Sequence, residues 1–80
     1  VFFNIVTENE FIDQIRVLLS KGLYPMEWMT LIKLDGQYAD DYIPAIRDYV
    51  SGDTWFLGDN EQYSRATAMQ KLGELWERAE

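Results

Sequence analysis

The sequence contains no cysteine and no histidine. Disulfides, thiolate zinc sites and thiol nucleophiles are thereby excluded, together with the usual general base near neutral pH. A cysteine-free chain fits a reducing compartment, and a cytoplasmic location is the expectation. No apolar run approaches the roughly 20 residues that a membrane-spanning helix needs. The opening "VFFNIV" is too short for a signal peptide and has no basic start. The glycines stand singly, so a phosphate-cradling loop of the Walker or dinucleotide type is missing. Ser20, Ser51 and Ser64 have no histidine to activate them, and none sits in a nucleophile-elbow pattern. Carboxylate pairs could do acid–base work, but they need a substrate cleft that so short a chain hardly supplies. These gaps argue against an enzyme and against a cofactor.

Positive charge is also scarce. Seven bases face fourteen acids, for a net charge of −7, and the imbalance lies entirely in residues 1–62, which hold eleven acids and four bases. Such a surface repels a phosphate backbone, so direct nucleic-acid binding is not expected. The simplest role for the acids is to keep a small domain in solution.

What is present is apolar. Nearly half of the 80 residues are hydrophobic, with three Trp, five Tyr and four Phe, too many for a disordered chain. One domain is expected, near the lower size limit for a core without staples.

In "VTENEF", Thr7 with Glu10 three positions later matches a capping box, and Val6 with Phe11 matches a hydrophobic staple. Phe11, Ile12, Ile15, Leu18 and Leu19 then recur at helical spacing, and Gly22 supplies the stop. This predicts a helix over 8–21. Pro25 can open a second, over 25–34, with Trp28, Met29, Leu31 and Ile32 clustered. A third is expected over 42–50, with Asp41 as cap, Pro44 in the first turn and Ser51-Gly52 as the end. A fourth, over 60–79, would start at Asp59 and present Ala68, Met69, Leu72, Leu75, Trp76 and Ala79. Gly73 beside that stripe suggests a close helix approach. The expected fold is therefore mainly α, a compact bundle of four helices. The segment 1–6 either pairs with 54–57 as a minor two-stranded ribbon, covers the bundle, or docks on a partner.

"DGQYADDY", residues 35–42, is the most chemically suggestive stretch. A β-hairpin competes, because Asp-Gly is a favoured two-residue turn, but Gln37 to Asp41 are poor strand formers. A calcium loop fails. Counted from Asp35, glycine falls at position 2; counted from Asp53, Trp55 and Leu57 fall at ligand positions 3 and 5. No metal site is expected. The reading that uses most residues is a helix joint, with Gly36 as stop and Asp41 as cap.

A binding module remains. In "TWFL", Trp55 and Phe56 are candidate interface anchors, since three consecutive large apolar residues cannot easily all point inward. The partner would be another protein, one with a basic surface. The alternative is an acidic inhibitor that places carboxylates where phosphates would sit in the basic groove of a DNA- or RNA-binding protein. Its candidates are Asp40, Asp41, Asp48, Asp53, Asp59 and Glu61, with Glu8, if they share one face.

Overall fold

The computed structural model describes residues 2–23, 28–33 and 42–80. Their elements are β1 (Phe3–Val6), α1 (Glu8–Ser20), β2 (Met29–Lys33), β3 (Tyr42–Arg47), β4 (Thr54–Leu57) and α2 (Arg65–Ala79). The strands form one mixed sheet in the order β1-β4-β3-β2. β2, β3 and β4 run as an antiparallel meander, and β1 lies parallel to β4. This is an α/β domain, not a four-helix bundle.

α1 begins where the capping box places it. The Thr7 hydroxyl accepts from the Glu10 amide at 3.3 Å, and the Glu10 carboxylate accepts from the Thr7 amide at 3.4 Å. Two orphan N–H groups of the first turn are satisfied reciprocally. Phe11, Ile12, Ile15 and Leu18 are buried along one stripe, and Gly22 takes the left-handed conformation after the helix. α2 starts later than the sequence suggests. Ser64, not Asp59, is its cap, its hydroxyl accepting from the Thr67 amide. Residues 58–63 form an irregular link in which Asn60 has a positive φ of 61°.

The two helices expected over 25–34 and 42–50 do not form in the described residues; Met29–Lys33 and Tyr42–Arg47 are paired strands. The helix-joint reading of "DGQYADDY" thereby loses both of the helices it was to join, while residues 34–41 lie outside the described residues. Gly36 and Asp41, its proposed stop and cap, lie outside the described residues, as does Pro25. Pro44 sits inside β3 rather than in a first helical turn. It pairs with Leu31 of β2, while the ladder to β4 spans only Ala45 to Arg47. Its missing N–H thus falls where one side of the strand has no ladder partner, the condition under which a sheet accepts proline. Of the segment 1–6, Phe3–Val6 pairs with Thr54–Leu57, not as a minor ribbon but as one edge of the full sheet.

Side chains paired across a ladder share a face. One row reads Asn4, Trp55, Ile46, Met29; the next reads Ile5, Phe56, Ala45, Thr30. The first row, with Val6, Leu57 and Leu31, faces the helices and joins Phe11, Ile15, Leu72 and Leu75 in the core. α1 and α2 both cover this face and are clamped together at their ends. Glu8 pairs with Arg78 and, at 3.2 Å, with Lys71, while Arg16 donates to the carbonyls of Arg78 and Ala79. The opposite face carries no helix among the described residues. None of the described helices is long and apolar enough to cross a membrane.

Candidate functional site

The uncovered face is built by strand alternation alone. Phe3 and Ile5 point away from the helices, and the parallel register sets them beside Thr54 and Phe56. The Phe3 and Phe56 rings stack with centroids 6.0 Å apart. Thr54 is fully buried even here, because the small side chain lies between larger neighbours and accepts from Arg47 Nε at 3.1 Å. Ala45, next to Phe56, is likewise inaccessible. Phe3 and Ile5 are instead 68% and 81% exposed. In a small domain, that much aliphatic and aromatic surface on one strand is an unspent hydrophobic contact.

A groove of about 500 Å³ lies along this face, floored by Phe3, Ile5, Ile43 and Phe56 and walled by residues 58–62. The wall is held close to the floor by glycine. The Gly58 amide donates to the Val6 carbonyl at 2.9 Å, extending the parallel ladder, and a Cβ at Gly58 would lie 2.5 Å from Ile5 Cγ2. The wall brings two carboxylates, Asp59 and Glu61. Asp59 accepts from the Tyr63 hydroxyl and from the Glu61 amide. Burial, reinforced by that carboxylate, pushes the Tyr63 hydroxyl well above the usual tyrosine range. It is a neutral donor throughout the physiological range. Glu61 is exposed.

The residues singled out from the sequence are dispersed by the fold. Phe56 lies on the open face, whereas Trp55, the next residue, turns toward the helices and packs against the core. Asp59 and Glu61 share the groove with Phe56. Asp53 accepts from the Phe2 amide at 3.0 Å, tying the two chain segments at the end of the β1–β4 pair. Asp48 is 3% exposed and belongs to the β3–β4 turn, where it accepts from Val50 and Ser51 amides and from Lys21. Glu8 is spent between the helices, and Arg78, then Lys71, hold its carboxyl below the usual range. Asp40 and Asp41 lie outside the described residues. Among the described residues no group of three or more His, Asp or Glu side chains is placed to hold a metal ion.

Phe3, Ile5 and Ile43 are members of the face that sequence reasoning did not single out. The signal available was the run "VFFNIV", whose alternate residues acquire different fates only once the segment is known to be a strand. Comparison with family models, curated proteins and solved structures finds no match for this chain. Fold and site together define a small α/β domain with a mixed four-stranded sheet, two helices on one face and an apolar, acid-rimmed groove on the other.

Proposed function

We propose that the domain is a non-enzymatic, acidic protein-interaction module that docks a partner protein on its uncovered sheet face. The observation that carries this reading is the exposure of Phe3 and Ile5 beside Phe56, with the carboxylates of Asp59 and Glu61 at the groove. Aromatic and aliphatic anchors surrounded by charge are the usual anatomy of an interface centre and its rim. The complementary surface presents apolar side chains flanked by Lys or Arg, and the net charge of −7 speeds its approach. A cytoplasmic setting belongs to the same reading and is supported by the cysteine-free composition. The phosphate-mimic alternative draws less support, because Asp48, Asp53 and Glu8 are all engaged within the domain.

The test is comparative capture from a lysate of the cells that make the protein, using the wild-type chain and the Phe3→Ser/Phe56→Ser variant side by side. The expected result is a protein retained by the first and lost from the second, with matching circular dichroism. Equal retention by both chains would overturn the assignment of this face.

A further inference from the structure

The helix-covered side of the sheet also contains a space that the described residues do not fill. Met29 and Leu31 of β2 stand across a groove of about 690 Å³ from Met69, Leu72, Gly73 and Trp76 of α2. Arg65, the first residue of α2, lines it too. On α2 these residues follow steps of three and four, so they form one stripe along the helix.

Three features of this groove are unexplained by folding alone. Gly73 is a poor helix residue, yet a Cβ there would meet nothing within 4 Å, so packing within the chain does not require glycine. Its effect is to keep the helical wall of the groove low. Arg65 stands at the positive end of α2, where a cation is unfavourable, and makes no ion pair among the described residues. Among the described residues it is the one charged side chain lining the groove. Finally, β2 is an edge strand. It pairs with β3 on one side, and its other side has no strand partner among the described residues.

From these we infer that the groove between β2 and α2 is a second binding site, which takes an extended acidic–apolar peptide as a fifth strand beside β2. Backbone groups of the guest pair with the edge of β2 that has no strand partner among the described residues, and its alternate apolar side chains enter the space over Leu31, Leu72 and Gly73. A carboxylate of the guest meets Arg65. The lengths agree. Arg65 and Trp76 are eleven residues apart on α2, about 16 Å along the axis. A strand covers that distance with about five residues. This site is on the opposite face of the sheet from Phe3, Ile5 and Phe56, and it needs a guest of the opposite charge from the partner proposed for that face. The domain thus joins two different chains.

A phage-displayed library of random nine-residue peptides, panned on the whole chain, tests the inference. The expected winners carry apolar residues at alternate positions and an Asp or Glu near one end. A winning peptide should bind about tenfold or more weakly to Gly73→Leu and to Arg65→Glu, and equally well to Phe56→Ser. Circular dichroism and the urea midpoint confirm that the variants are folded. Should Gly73→Leu fail to fold, Gly73→Ala combined with Leu31→Phe narrows the groove from both sides and gives the same readout. Binding of the peptide should slow amide exchange in Met29–Lys33. Failure to enrich any peptide, undiminished binding to the filled groove, or unchanged exchange in β2 would each overturn the site, while leaving the proposal for the other face intact.

Discussion

Lys21 Nζ lies 2.7 Å from Asp48 Oδ2, tying the residue that caps the end of α1 to the turn between β3 and β4. The two ends of this bridge are unequal. The Lys21 side chain is 51% exposed and the Asp48 side chain 5%. Asp48 also organises its own turn by accepting from the Val50 amide at 2.9 Å and the Ser51 amide at 3.3 Å.

That inequality sets the first expectation. Lys21→Ala removes a solvent-screened partner and should lower stability by less than about 1 kcal/mol. Asp48→Asn weakens several bonds to a buried carboxylate and should cost about 1.5–3 kcal/mol at neutral pH. The acid dependence follows from the same contacts. The hydrogen bond from Lys21, helped by the two amides and opposed by burial, holds the Asp48 carboxyl below its ordinary value. The stabilisation is therefore complete above the unfolded-state value of about 4 and is lost as pH falls through the lower, folded value. Urea midpoints taken from pH 7 downward should fall in that acid window for the wild type and fall less for Asp48→Asn. Parallel curves would assign the acid limb to other carboxylates, Glu8 first.

Thr7→Ala should destabilise the chain by about 0.5–2 kcal/mol, the usual loss for an N-cap hydroxyl. Thr7 is also the single residue between β1 and α1, so the cap fixes the angle at which the helix leaves the sheet. An unchanged urea midpoint would mean that β1 and the staple set this junction without the hydroxyl.

Gly58 and Ile5 should behave as a coupled pair. The added methyl of Gly58→Ala collides with the γ2 methyl of Ile5, so the substitution should loosen β1 and speed amide exchange at Phe3–Val6. In an Ile5→Ala background the collision disappears, and the same change should cost at least about 0.5 kcal/mol less, the mark of contact in a double-mutant cycle. Additive effects would show that Ile5 simply rotates away.

Trp55 and Phe56, neighbours in sequence, should separate stability from binding. Trp55→Ala opens the core and should cost up to about 3–5 kcal/mol, reduced by the part of the ring that is already exposed. Phe56→Ser loses the aromatic pair with Phe3, worth about 0.5–1.5 kcal/mol, and should act mainly on partner capture. Thermal unfolding of the two variants distinguishes them; equal losses would mean that both rings are structural.

The helices were more legible in the sequence than the sheet, for a physical reason. α1 carries a cap, a staple, a stripe and a stop, each a local signal, and it forms within a residue of where they place it. α2 keeps its buried stripe of Ala68, Leu72, Leu75 and Ala79, but Ser64 rather than Asp59 starts it, because the link before it is occupied by the Tyr63–Asp59 contact and the bridge from Tyr42 to Tyr63. β2 and β3 have the look of helices in the sequence because alternation has no polar beat when both faces of a sheet are largely apolar. Ile43 and Ala45 on one face are apolar, and so is Ile46, which faces the other way. Pro44 strengthened the misreading, since proline in an inner strand is tolerable only where a ladder stops. The same cause hid the open face. Phe56 could be suspected from the crowding of "TWFL", but its neighbours Phe3 and Ile5 come from a strand whose partner lies far along the chain.

That distance has a kinetic consequence. Phe2 and Asp53, joined at the start of the β1–β4 pair, are 51 residues apart, whereas the β2–β3–β4 meander closes through short connections. Bringing β1 home carries the largest loop-closure entropy in the sheet, and long-range parallel pairing is intrinsically slow. Refolding should therefore proceed with the meander and α2 assembled ahead of β1, and in pulse-labelling the amides of Phe3–Val6 should be the last of the sheet to gain protection. Until they do, β4 is a bare edge and the Trp55 side of the core is open at one end. The chain is then briefly most prone to misassembly with its own copies.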